Sequence, residues 1–358
     1  MPRPQPVSGV LLMRRIETLI VVLALGFYAW FLHRFGWSDV LHYVRVAGWG
    51  LVLTVALEAV ARLANTLGWR VTIENCPRRL GLGELFAARI AGEAVDYVTP
   101  SAQLGGQFVM AMLVRYKLPM AAGLVTVVVA ALAEMLGQVG FITGGMLTVL
   151  PFEAQFHHLL WPALGGLALA IAFAAGFFYV QIKRPFSHLW RAAVHLDLSR
   201  IANDEMRDAA AEADTLLLEF YARHRWRLVA SCLCYLVAWS LGPLEIYILL
   251  LLLHEPVTWQ IAVLVEVFGQ LIERATFMIP AKLVSQEGGK ALVMAMLGYP
   301  ADVGFAVGLL RRFKEMVWVF FGLLSLTLHR LVVERADRDT GGSPGVLKIS
   351  SAPGEQSL

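Results

Sequence analysis

The chain has 358 residues, of which 58% are hydrophobic and only 16% are charged. Soluble domains carry about 25% charged residues, so this composition predicts an all-α, polytopic membrane protein. The formal net charge of +3 comes without the basic, aromatic-interleaved patches that nucleic-acid binding requires, so no nucleic-acid partner is expected.

Hydrophobic runs, taken in chain order, predict about six membrane-spanning helices. The first run follows Arg14 and Arg15 and lacks a small-residue cleavage site, which favours an uncleaved span over a signal peptide. In the second run Glu58 and Arg62 are four residues apart, a spacing typical of an ion pair on one helical face. The predicted spans are residues 16–32, 48–69, 119–149, 159–180, 228–253 and 302–328.

Two further apolar segments are short and interrupted. As a helix, residues 82–98 would rise only about 25 Å, which is less than a comfortable span. That segment stops at Pro100, and the second, residues 257–279, stops at Pro280 before a new helix over 288–297. We expect both to be re-entrant broken-helix hairpins, and two full crossings each are the alternative.

One long hydrophilic stretch, residues 183–227, separates the fourth and fifth spans. Its apolar residues are spaced for a helix, which predicts a cytoplasmic amphipathic helix lying against the bundle. Residues 331–358 are rich in Gly, Ser and Pro and are predicted to be a disordered tail, so residues 1–330 would form one integral membrane domain. Lys and Arg are concentrated in segments on the side of the N-terminus, which predicts that both termini are cytoplasmic.

The two interrupted segments match each other. Glu93 lies seven residues before Pro100, and Glu273 lies seven residues before Pro280, so both pairs are offset by 180 residues. A glycine pair follows each break, and then the identical string VMAML at 109–113 and 293–297.

The match continues into the long span that follows each break. Glu134 and Glu315 fall at corresponding places there. We therefore predict an internal repeat, with copies over about 48–149 and 228–328. Because the copies would enter from opposite faces, the repeat has inverted topology, a common plan of alternating-access transporters.

This pattern of charged helix, proline-containing break, Gly-Gly and second helix resembles the flippase-like family. That family is also called the lysylphosphatidylglycerol synthase transmembrane family and includes hopanoid-associated membrane proteins. The resemblance covers most of residues 15–330. It implies a multi-pass protein of the bacterial inner membrane that moves a polar-headed lipid between leaflets. The soluble domain of the full-length synthases does not follow the last span here, so lysyl transfer is not expected.

Ionisable side chains within the membrane segments are the candidate pathway for substrate or protons. Glu93 and Glu273 would either line that pathway or pair with neighbouring arginines. Arg311 and Arg312, near the middle of the last span, would either receive an anionic head group or pair with carboxylates. If Arg311 and Arg312 pair with carboxylates, their expected partners are Glu315, Glu134 and Glu273. The full set of candidates is Glu93, Glu273, Arg311, Arg312, Glu134, Glu315, Arg89 and Arg274.

The two breaks carry further candidates. Their prolines and glycines would end one helix and allow close approach at the next, and their polar side chains would line the break or satisfy freed backbone groups. These residues are Pro100, Gln103, Gly105, Gly106, Gln107, Pro280, Lys282, Gln286, Gly288, Gly289 and Lys290.

The predicted function is a lipid flippase or translocator working by alternating access of two inverted halves. Its partners would be membrane lipids; the sequence does not identify the substrate, for which anionic and isoprenoid lipids are candidates. The alternatives are a membrane-embedded glycosyl- or phosphotransferase acting on a lipid, or an accessory scaffold of lipid biosynthesis. The sequence has no HExxH motif and no nucleotide-binding glycine loop, so we expect no enzyme, catalytic residue, metal or cofactor.

Overall fold

A computed structural model of the protein describes residue 26 and residues 45–74, 80–99, 104–149, 153–195, 204–275 and 285–339. Eleven helices and no strands are found in these residues, which confirms the all-α fold class. In chain order the helices are α1 (Gly50–Thr72), α2 (Leu82–Val98), α3 (Leu104–Val114), α4 (Met120–Val149), α5 (Glu153–Ile182), α6 (Pro185–His195), α7 (Asp204–Arg223), α8 (Arg225–Leu252), α9 (Trp259–Ala275), α10 (Ser285–Met296) and α11 (Ala301–Asp339).

Four of the described helices are long and apolar enough to cross a membrane. They are α1, α4, α5 and α8, and they coincide with the second to fifth predicted spans. Except for Gly26, the first predicted span lies outside the described residues. The last predicted span lies within the 39-residue α11, which carries Arg311, Arg312, Lys314 and Glu315 and is therefore more charged than a typical span.

The two interrupted segments form the helix pairs α2–α3 and α9–α10. In the first pair the helices touch through backbone: a β-carbon on Gly106 would lie 2.2 Å from the carbonyl oxygen of Gly92. The Gly106 N–H also donates to Asp96 at 2.7 Å, so this carboxylate satisfies a donor in the first turn of α3. The breaks themselves, residues 100–103 and 276–284, lie outside the described residues, and the re-entrant depth of both pairs stays a prediction.

We call α1–α4 the first copy and α8–α11 the second copy of the repeat. Their leading helices, α1 and α8, pack antiparallel along their length. Gly50 at the start of α1 lies against Leu252 at the end of α8. Near the other end, the Ser231 hydroxyl of α8 donates to the Gly68 carbonyl of α1 at 2.9 Å.

Two further contacts join the second helix of one copy to the last helix of the other. In one, α2 of the first copy packs antiparallel on α11 of the second, with Gly322 against the Ile90 carbonyl. In the other, α9 of the second copy packs antiparallel on α4 of the first, with Gly145 against Val267. The two contacts involve corresponding helices of the predicted repeat, α2 with α11 and α9 with α4.

The hydrophilic stretch contains two helices, α6 and α7, instead of the single helix that the sequence suggested. Helix α7 packs its apolar face, including Leu217 and Phe220, against α4. The Asp214 carboxylate of α7 accepts from the backbone N–H groups of Phe186 and Ser187 at 3.0 and 2.9 Å. These groups have no partner within α6 itself, so Asp214 caps α6 from outside and lets the chain fold back.

The end of the chain differs from the predicted tail. Helix α11 continues to Asp339, so residues 331–339 are helical. Neither Gly nor Pro occurs in this stretch, and its Leu, Glu, Arg and Ala residues favour helix. Residues 340–358 lie outside the described part of the chain.

Candidate functional site

A cavity of about 250 Å³ lies between the two copies. Its wall comes from α1, α2 and α4 of the first copy and from α8, α9 and α11 of the second. Among the described residues that line it, carboxylates outnumber cationic side chains. The carboxylates are Glu58, Glu93, Glu134, Glu245, Glu266, Glu273 and Glu315, and the cations are Arg62, Arg311 and Lys314.

The first copy contributes a continuous chain of ion pairs. Arg62 binds Glu58 on its own helix at 3.2 Å and also binds Glu93 of α2. Arg89 binds Glu93, four residues away, at 2.8 Å and Glu134 of α4 at 3.1 Å. The three carboxylate side chains keep 24–33% of their surface exposed, so they are accessible from the cavity.

The second copy contributes a more deeply buried chain. Arg311 binds Glu245 of α8 at 3.0 Å and Glu266 of α9 at 2.7 Å. Lys290 of α10 lies 3.9 Å from Glu266 and 3.8 Å from Glu273. The carboxylate side chains of this network are at most 8% exposed. The second network is therefore buried, whereas the carboxylates of the first are partly exposed.

A single lysine joins the two networks. The ammonium group of Lys314 lies 2.8 Å from Glu58 of the first copy and 2.6 Å from Glu245 of the second. Its side chain is 3% exposed. Lys314 therefore links both copies at the cavity wall through charge-assisted contacts.

The neighbouring Arg312 lies outside the cavity lining and belongs to a third group. Its guanidinium binds the buried Glu287 of α10 and donates to the Tyr97 hydroxyl at 3.4 Å. Arg312 thereby joins α11 to both hairpins, because α2 and α10 each belong to one of them.

Most of the predicted pathway residues converge on this site. The Glu58–Arg62 ion pair is confirmed, and Glu93 pairs with Arg89, which was one of its two anticipated roles. Arg311 and Arg312 are each held by carboxylates that the sequence had not suggested, namely Glu245, Glu266 and Glu287. Arg274 lies in α9, but its side chain is outside the described part.

The break residues are less fully placed. Of these, Lys290 reaches the second network, and Gly106 makes the close contact with α2. Gly105, Gln107, Gly288 and Gly289 lie in α3 and α10 and do not line the cavity, and the side chain of Gln286 is outside the described part. Pro100, Gln103, Pro280 and Lys282 lie outside the described residues.

Sequence reasoning missed several residues that complete the site. Glu245 and Glu266 each lie in an apolar stretch of their helix, Lys314 lies in the charged run 311–315 of α11, and Gln270 donates to Glu266 at 2.8 Å. For Glu245 and Glu266, an isolated charge within a membrane segment was the available signal. Within the described residues, no group of three His, Cys, Asp or Glu side chains is arranged to hold a metal ion.

The family description "Lysylphosphatidylglycerol synthase TM region" matches residues 17–322, which include the first copy of the predicted repeat and the second copy as far as Gly322. No curated protein and no solved structure matches the chain. The family match confirms the resemblance seen in the sequence. The chain thus belongs to the lysylphosphatidylglycerol synthase transmembrane-region family, and it is a multi-pass membrane protein related to lipid modification or flipping.

Proposed function

We propose that this protein is a lipid translocator that carries the polar head of a lipid through the cavity between its two copies. Small-molecule pockets usually measure about 300–1,000 Å³. A cavity of about 250 Å³ has room for a head group, whereas the acyl chains would stay in the surrounding membrane. Helices such as α5 expose apolar side chains, for example Leu169 and Phe173, which can contact those acyl chains.

The observation that carries the proposal is the charge of the cavity wall. Seven carboxylates and three cations line it in the described part of the chain, and carboxylates remain in excess when Arg89 and Lys290, which contact lining carboxylates from outside the lining, are added. Such a wall favours a head group that carries a positively charged amine over the anionic lipid that the sequence suggested. The name of the family supports this choice, because a lysylated lipid carries amines.

The mechanism we propose is alternating access between the two copies. An incoming amine would compete with Arg62 and Arg89 for the exposed carboxylates of the first copy. The closed network of the second copy would then open as the first closes, because a two-fold relation makes the two arrangements counterparts. Protonation of Glu93 or Glu273 would release the cation bound to it and could couple the cycle to a proton gradient.

Reconstitution into lipid vesicles tests the proposal. We expect Glu93→Gln and Glu273→Gln each to slow the transfer of an amine-headed lipid between leaflets, and the double variant to abolish it. Glu219→Gln, on the exposed surface of α7, is the matched control and should not change the rate. Unchanged transfer in the double variant, or a preference for lipids without an amine, would contradict the proposal.

Two further parts of the proposal have their own tests. If the protein translocates lipids without modifying them, mass spectrometry of the same vesicles will find no lipid of changed mass. We also propose the bacterial inner membrane with both termini cytoplasmic. Reporter fusions at each end, active on only one side of the membrane, would show any other orientation.

A further inference from the structure

The two copies differ at one position next to their matching glutamates. Glu93 and Glu273 correspond to each other in α2 and α9. Four residues earlier, one turn back on the same helical face, the first copy has Arg89 and the second has Gly269. Arg89 binds Glu93 at 2.8 Å, whereas Gly269 offers no side chain to Glu273.

The space beside Gly269 is filled from another helix. The ammonium group of Lys290, on α10, lies 2.7 Å from the point where a β-carbon on residue 269 would be. The same group lies 3.8 Å from Glu273 and 3.9 Å from Glu266, and its side chain is only 1% exposed. Any side chain at position 269 would therefore displace the buried end of the Lys290 side chain.

We propose that Lys290 holds in the second copy the place that Arg89 holds in the first, and that Gly269 is a positioning residue that admits its ammonium group to Glu273. A charged carboxylate away from bulk water is stabilised by a cation close to it, and the need is greater for the buried Glu273 than for the partly exposed Glu93. The second copy supplies its cation from the opposite arm of the hairpin. The ion pair therefore ties α9 to α10, whereas the Arg89–Glu93 pair lies within a single helix.

A double-mutant cycle on the full-length protein in detergent tests whether an arginine at position 269 can replace Lys290 beside Glu273. Lys290→Ala should lower the melting temperature by about 5–10 °C, because it removes a buried cation that lies 3.9 Å from Glu266 and 3.8 Å from Glu273. Gly269→Arg should also destabilise the protein, through collision and repulsion with Lys290. Combining them should restore at least half of the loss, since the guanidinium introduced at position 269 would then bind Glu273 as Arg89 binds Glu93.

The control is a substitution at a glycine that no side chain from another helix approaches. Gly83 lies exposed in α2, and nothing is found within 4 Å of its β-carbon position. Gly83→Arg should neither destabilise the protein strongly nor rescue Lys290→Ala. If the combination of Gly269→Arg with Lys290→Ala melts no higher than Lys290→Ala alone, the proposed exchange is wrong.

A milder pair of variants covers the case in which an arginine at position 269 prevents folding. Gly269→Ala should lower the melting temperature of the parent protein and should be neutral or raise it once Lys290 is alanine. A merely structural glycine would show the same sign in both backgrounds, which would overturn the proposal. The inference rests on contacts and not on lipid transport, so its failure would be distinguishable from failure of the proposed function.

Discussion

Lys314 provides the strongest test of the site's energetics, because it alone among the described side chains contacts carboxylates of both networks. Its ammonium group lies 2.8 Å from Glu58 and 2.6 Å from Glu245, and the side chain is 3% exposed. Breaking a buried ion pair by removing one partner costs about 3–5 kcal/mol. Glu58 and Glu245 keep Arg62 and Arg311 as second partners, so we expect the lower part of that range, about 3 kcal/mol, for Lys314→Met.

The assay is the free energy of unfolding in mixed detergent micelles. Arg223→Met is the matched control, since it removes the Arg223–Glu219 ion pair on the exposed face of α7. Surface pairs of this kind contribute at most about 0.5 kcal/mol. Adding Glu58→Gln to Lys314→Met should recover part of the loss, because only Glu245 is then a charged group that lacks its lysine. A loss for Lys314→Met no larger than for Arg223→Met would refute the reasoning.

Three further outcomes are expected from the contacts described. Gly106→Ala should lower the melting temperature by several degrees, because its β-carbon would lie 2.2 Å from a backbone carbonyl oxygen, whereas Gly144→Ala in α4 meets nothing within 4 Å and should be neutral or slightly stabilising. Asp214→Ala should cost about 1 kcal/mol and speed amide hydrogen exchange in the first turn of α6. The hydrogen bond from Lys117 holds the pKa of Glu84, at the start of α2, below its usual value. The stability gained from a lowered carboxyl pKa is present above the unfolded pKa and lost as the pH falls, so the advantage over Lys117→Met, at most about 1 kcal/mol, should decline below about pH 4.5 and be gone once Glu84 is protonated in the folded protein.

The predicted repeat and the helix pairs α2–α3 and α9–α10 rest on features of the local sequence, namely apolar segments and the breaks between them. The offset of Glu93 and Glu273 and the shared VMAML string survive in order along the chain. Helix boundaries of the four apolar spans agree with the hydrophobic runs to within a few residues, except where α5 begins earlier. Length and apolar periodicity are properties of a single segment, so one sequence is sufficient to find them.

The partners across the site could not be predicted from one sequence. Arg311 reaches Glu245 and Glu266, which lie on two other helices, and only the antiparallel packing of the copies brings those residues together. The charge of the cavity wall could not be predicted for the same reason. Arg311 and Arg312 suggested a positive cavity, but the carboxylates that surround them come from positions remote in the chain.

The packing of α2 on α11 has a consequence for how the protein is made. The Ile90 carbonyl, in a helix synthesised early, fits against Gly322, in the last described helix. During synthesis the ribosome must add over 200 residues before α2 meets this partner. Throughout that time, Arg89 and Glu93 have each other and other first-copy side chains but no second-copy wall to shield them. We therefore expect chains truncated within α11 to lose the first copy as well as the second, and to be recognised and degraded as unfinished membrane proteins.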